Sequence, residues 1–166
     1  GSAGFGTFKE TAEGEWTFTA DISHSAVQSL LEGESVSDSF TVESHDGVNQ
    51  IVTVTITGTD DVAVITGSFV TNLTEDSASV LTADSVLNIT DADKDQAVFV
   101  EQSNILGTAG IGLFSLQTDG SWTYSADNTQ DAIQALGANS IIEDSFTAVS
   151  ADGNAQVITV AITGVN

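Results

Sequence analysis

Apolar and polar residues alternate through most of this chain, and that rhythm predicts strands. Within residues 51–57 the even positions Val52, Val54 and Ile56 are apolar, while Thr53, Thr55 and Thr57 stand between them. A strand with one buried and one wet face reads this way. Residues 157–163 repeat the pattern, and residues 37–44 alternate upstream of the first copy. Asp46-Gly47 and Asp152-Gly153 lie between the alternating runs, and Asp-Gly supplies the positive φ angles of a tight hairpin. A second hairpin is predicted from residues 5–10 and 15–20 around Glu13-Gly14, and its later copy from 113–117 and 121–126 around Asp119-Gly120. Trp16 and Phe18, like Trp122 and Tyr124, share one strand face and are expected in a core. One stretch per copy breaks the period. Ala26, Val27, Leu30 and Leu31 recur at helical spacing between Ser23, the expected N-cap, and Gly33; Ala132, Ile133 and Leu136 precede Gly137. A crossover helix of about two turns is predicted there. Residues 64–71, 85–90 and 97–102 read as three further strands.

The pattern is duplicated. Residues 4–60 shifted by 106 fall on residues 110–166 without a gap, and 24 of these 57 pairs are identical. A fixed period that keeps glycines, aromatics and aspartates together marks one structural unit used twice. Residues 65–106 have no counterpart upstream, because Gly1 already aligns with Gly107. The expected organisation is the C-terminal portion of one repeat in residues 1–58, a linker at 59–61 and a complete repeat in 62–166, as in an excerpt from a longer array. The predicted fold class is all-β: antiparallel β-sandwich repeats of the immunoglobulin or cadherin type, each with one short crossover helix. A unit holding only the later strands leaves an apolar face bare. Self-association is expected to follow, including by strand exchange, although each added chain brings the same shortage.

Composition changes the picture in one direction. The chain carries 24 acids against Lys9 and Lys94 and has no arginine, a formal charge of −22. That excludes the basic footprint nucleic-acid binding requires, and it excludes attraction to anionic membranes. No apolar run is long enough for direct membrane insertion, and no signal peptide is visible. The absence of cysteine rules out disulfides and thiolate metal sites. So large an excess of one charge repels itself on a compact fold. On composition alone the acids read either as a solvated coat or as cation ligands.

Their positions narrow the choice. Acids gather where strands should end: Thr59-Asp60-Asp61 between the repeats, Thr74-Glu75-Asp76, Asp91-Ala92-Asp93-Lys94-Asp95, and Asp152 at a hairpin. A hard cation such as Ca²⁺ takes six to eight oxygens, mostly carboxylate and carbonyl, from backbone that bends around it. Asp-x-Asp in an extended loop can turn two carboxylates to one ion, although solvated acidic loops are the commoner case. His24 and His45 align with Gln130 and Ala151, stand outside the repeated pattern and read as surface residues. No nucleophile–base pair, phosphate-binding loop or paired-carboxylate cleft stands out, so the chain does not read as an enzyme.

At these residues the chain resembles a known family. The run Ile56-Thr57-Gly58-Thr59-Asp60-Asp61-Val62-Ala63-Val64-Ile65 is similar to the linker of VCBS repeats. Gly6-Thr7-Phe8, Gly14-Glu15-Trp16-Thr17-Phe18, Val27-Gln28-Ser29-Leu30 and Asp38-Ser39-Phe40-Thr41-Val42 resemble the body of the same repeat. Asp60 and Val62 depart from it, standing where the family has Asn and Pro. VCBS repeats are cadherin-like modules of giant bacterial surface proteins, many of them RTX-type adhesins. The resemblance implies calcium between consecutive modules. It assigns Asp60 and Asp61 of the linker, Asp91 and Asp93 of the Asp-Ala-Asp loop, Asp152 before the last strand and Asp21 of the preceding repeat to one junction. Glu75, Asp127 and Asn166 would face the next junction.

The expected function is that of a calcium-binding extender repeat of a secreted bacterial cell-surface adhesin. Its partners would be the neighbouring repeats of the same polypeptide, and the stiffened array would serve cell adhesion and biofilm formation. Two rival classes remain: an adhesive domain that binds a sugar or protein, and an accessory domain of a secreted hydrolase.

Overall fold

The alternation in the second copy produces two sheets that share one core. A computed structural model describes residues 1–165; Asn166 and the role expected of it lie outside the described residues. The chain divides into two compact units, residues 1–61 with 92–94, and residues 62–91 with 95–166. Within the second unit nine strands are assigned among the described residues: β5 (Val64–Thr66), β6 (Val70–Thr74), β7 (Val80–Val86), β8 (Asn88–Thr90), β9 (Gln102–Leu106), β10 (Gly112–Leu116), β11 (Ser121–Asp127), β12 (Ile141–Val149) and β13 (Ala155–Thr163). One sheet runs β7-β11-β10-β9, another runs β12-β13-β6, and β5 pairs with β8. Side chains from the two larger sheets form a single core. Leu81, Phe114, Trp122 and Tyr124 of the first pack with Phe146, Ile158, Val160 and Ile162 of the second. Phe114 stacks on Phe146 with ring centroids 4.6 Å apart. The fold is an all-β sandwich.

Three details differ from the expected strands, each for a local reason. The single strand predicted at 64–71 is two, because Gly67 adopts φ +136 and bends the chain from one partner to another. β5 thereby pairs with β8, while β6 joins β13 in a parallel register, Val70 beside Thr159 and Thr74 beside Thr163. The sandwich is thus antiparallel except for this pair. Residues 97–102 open on the apolar run Ala97-Val98-Phe99-Val100, but their backbone crosses from one sheet to the other. The Phe99 amide donates to the Thr118 carbonyl at 3.1 Å, and the Val100 amide to the Val149 carbonyl at 2.8 Å. The regular strand starts only at Gln102. The strand predicted at 85–90 belongs to two elements, β7, which begins already at Val80, and β8.

The first unit holds the counterparts of β10–β13 in two hairpins: β1 (Gly6–Glu10) with β2 (Trp16–Ala20), and β3 (Ser35–Glu43) with β4 (Asn49–Thr57). The crossover helices are single turns, α1 (Ser25–Gln28) and α2 (Asp131–Gln134). Ser23 does not cap α1. Its hydroxyl and amide donate to Asp21, and the N-cap is His24, whose Nδ1 accepts the Ala26 amide at 3.2 Å. His24 also meets Phe5 edge-on at 5.2 Å, so it is a packed, partly buried residue.

Each unit buries one aspartate on an otherwise apolar strand face. Asp144, 0% exposed, accepts the amides of Ala109 and Gly112 at 2.8 Å each and the Tyr124 hydroxyl at 3.3 Å. Asp38 accepts the amides of Ala3, Ser39 and Phe5 at 2.8, 2.8 and 3.0 Å. Burial pushes the Asp38 carboxyl up, but hydrogen bonds from Ala3 and Ser39 outweigh it and hold the group below the ordinary range. A Cβ on Gly107 would sit 2.0 Å from the Asp144 carboxylate, so the turn ahead of β10 closes on it only with glycine. The amide and hydroxyl donors stabilise the ion in the core; deleting it orphans all three. Asp144→Ala should lower unfolding free energy by about 3 kcal/mol in urea titrations, against about 1 kcal/mol for Tyr124→Phe, which removes a single donor.

Candidate metal centre

Val62 begins the second unit, and acids from distant loops hold the backbone on either side of it. Within the first unit the Asp61 amide donates to Asp93 Oδ2 at 2.8 Å. Within the second the Ala63 amide donates to Asp152 Oδ2 at 2.9 Å, and Asn154 Nδ2 donates to the Ala63 carbonyl at 2.7 Å. Alternate amides of one short segment are thus seized by carboxylates lying 32 and 89 residues downstream. Asp93 is 3% exposed, and Ala63 is buried as well. Burying a carboxylate in a chain of net charge −22 demands compensating donors or a cation.

Asp152 owes its orientation to the hairpin between β12 and β13. Gly153, at φ +87, turns the chain, and the buried Ser150 hydroxyl hydrogen-bonds both Asp152 Oδ1 and the Asn154 carbonyl. Burial pushes the Asp152 carboxyl up, but the Ser150 hydroxyl and the amides of Ala63 and Asn154 more than reverse this, leaving it below the usual carboxylate range. The counterpart hairpin repeats the hydroxyl–carboxylate contact at Ser44 and Asp46.

The remaining expected ligands take different places. Asp60 and Asp61 are exposed, and Asp91 is half-buried. Asp21 closes β2 and accepts from Ser23, whose hydroxyl first and amide second lower its pKa. Asp127 ends β11 in the same way, its pKa lowered by the amide and hydroxyl of Thr129. In the first unit Ile22, next to Asp21, lines a hollow with Leu30, Gly58 and Asp61. Glu75 is buried just past β6; its amide donates to the Thr163 carbonyl and its Oε1 accepts the Val165 amide at 2.9 Å. Asp127 pairs with Val80 across the same end of the sandwich. β13, nine residues long, separates that end from the Asp152 hairpin by about 30 Å. The second unit therefore carries acids at both ends.

In kind, these donors fit a hard cation: they are carboxylate, amide and carbonyl oxygens, with no thiolate and no imidazole. Among the described residues, however, no three acidic or histidine side chains stand close enough together to hold a metal ion. Ser150, Asn154 and the core acids Asp38 and Asp144 were not singled out from sequence. A signal for the last two existed, since Asp38 shares the strand face of Phe40 and Val42 and recurs with Phe146 in the second copy. A scan against protein-family models gave no match, and a search of curated proteins found no similar sequence.

The depressed pKa of Asp152 fixes a sign. A carboxyl whose folded-state pKa lies below its unfolded value near 3.9 stabilises the fold above that value, and the contribution disappears as pH falls through the folded-state pKa. Relief of the −22 charge acts in the opposite sense on acidification and obscures the raw melting curve. The difference between parent and Asp152→Asn isolates the single group. That difference in melting temperature should be largest at neutral pH and should shrink steadily below pH about 4.

Proposed function

We propose that this chain is a structural spacer: a tandem β-sandwich repeat, stiffened by calcium around its linker, from a secreted bacterial surface adhesin related to the VCBS repeats. The observation that carries the reading is the treatment of the linker. The Asp61 amide of the linker is held by Asp93 and the Ala63 amide just after it by Asp152, so acidic side chains take part in orienting this segment. Asp60, Asp61, Asp91, Asp93, Asp152 and Asp21 would supply the oxygens, and Glu75 and Asp127 would serve a further junction at the other end of the second sandwich. The cation would supply positive charge that a chain with two lysines lacks. It would draw together carboxylates that otherwise repel.

The exact 106-residue period favours a spacer over the alternatives. A sugar- or protein-binding tip domain would carry an insertion peculiar to one copy, and the aligned residues 4–60 and 110–166 contain none. Localisation outside the cell follows from the same proposal, because millimolar calcium is found there.

Extracellular calcium modules bind at roughly 10⁻⁴–10⁻³ M. A single site in tenfold excess of ion stabilises by about 1.4 kcal/mol through linkage. Calcium added at constant ionic strength should therefore raise the melting temperature by several degrees and reduce the radius of gyration spread in solution scattering, and chelator should reverse both. Magnesium or sodium at matched ionic strength should not substitute, and Asp93→Asn should abolish most of the response. Identical melting and scattering with calcium and with chelator would rule the proposal out.

A further inference from the structure

The same face is present twice in this chain, once covered and once bare, and the covered copy identifies the cover. In the second unit, β6 lies parallel to β13, β7 lies antiparallel to β11, and β9 flanks β10. Their side chains Leu81 and Ala83, with Leu87 and Phe99 from adjoining turns, close the core. The first unit has the counterparts of β10, β11, β12 and β13 and, in both of its sheets, none of these neighbours. Trp16 is accordingly 44% exposed where its counterpart Trp122 is 1% exposed. Val54 and Ile56 are half-buried where Val160 and Ile162 are fully buried.

The bare face is nonetheless already arranged. Phe8 lies 4.6 Å from Phe18 and 4.4 Å from Phe40, and the matching rings Phe114–Tyr124 and Phe114–Phe146 are each 4.6 Å apart. The β3–β4 register, Phe40 opposite Val52, reproduces that of β12–β13, Phe146 opposite Ile158. A partner therefore needs to supply strands and has little rearrangement to impose, which favours binding.

We propose that residues 1–58 form a strand-acceptor site for an extended segment with the sequence pattern of residues 62–106. The pairing follows from the second unit by subtracting 106. The segment's Val70–Thr74 would run parallel to residues 53–57, and its Val80–Val86 antiparallel to residues 15–21, reading from the pairs Thr159–Val70 and Asp127–Val80. Main-chain hydrogen bonds along both open edges would give affinity, and the pockets for Leu73 and Leu81 would give specificity. A second copy of the chain is the poorer occupant, because its only such segment completes its own second unit.

The test adds a synthetic peptide of residues 62–106 to the full chain in about 0.15 M salt, where charge repulsion between the two acidic molecules is screened within about 8 Å. One peptide should bind per chain and shift Trp16 emission to the blue. Amide exchange at residues 53–57 and 15–21 should slow by about tenfold or more. A peptide carrying Leu73→Asp and Leu81→Asp should do neither. Should the free peptide aggregate, residues 62–106 fused directly ahead of Gly1 replace it, since residue 106 is followed in the chain by Gly107, the counterpart of Gly1. In that fusion residues 1–58 should exchange as slowly as residues 107–164. Three results would overturn the proposal. The first is no protection by either peptide or fusion. The second is protection confined to other residues. The third is a self-associated chain in which residues 1–58 are protected before any peptide is added.

Discussion

A carboxylate held in the middle of an apolar sandwich must be surrounded by donors, and each unit is organised around that demand. Asp144 draws in the amides of Ala109 and Gly112, fixing the turn that leads into β10, and it meets the Tyr124 hydroxyl from β11. One residue of β12 thereby ties its own sheet to the opposite one. Asp38 does the same with Ala3 and Phe5, using the Ser39 amide where Phe18 offers no hydroxyl. The anion is a specifying element: an apolar residue there would pack but would leave the turn without a register.

That arrangement separates the acids of this chain into two populations. Asp38 and Asp144 have their donors within their own units. Asp93 and Asp152 instead reach to the linker backbone, while Asp60 and Asp61 remain in solvent. The −22 charge is therefore not a uniform coat, although its largest share does face water.

Much of the fold was legible because period-two alternation and the Asp-Gly turns report directly on one buried face and on hairpin geometry. The β3–β4 and β12–β13 hairpins and the Trp122–Tyr124 core face follow from that alone. What alternation cannot report is which sheet a strand joins. Residues 64–71 and 97–102 are apolar enough to read as strands, yet Gly67 and the crossing at Phe99 hand their hydrogen bonds from one sheet to the other. Helical spacing over Ala26–Leu31 likewise predicts two turns, but the chain makes one, and the Leu30 amide reaches back only to the Val27 carbonyl. For the candidate site, sequence located acids at strand ends but not their partners. Asp93 and Asp152 contact residues 61 and 63 across 32 and 89 positions, a separation no local pattern encodes.

The parallel pairing of β6 with β13 sets how the second unit would respond to tension. These strands lie near the beginning and the end of the second unit and are hydrogen-bonded over Val70–Thr74 and residues 159–163. Tension applied through Val62 and Val165 pulls them in opposite directions along their common axis. Every rung of that ladder is then loaded in shear at once, instead of opening one at a time as at the tip of a peeled hairpin. Forced unfolding is limited by the rate of crossing such a barrier, not by equilibrium stability. Under tension along that axis the ladder would resist by its barrier to rupture, whatever the equilibrium stability of the sandwich.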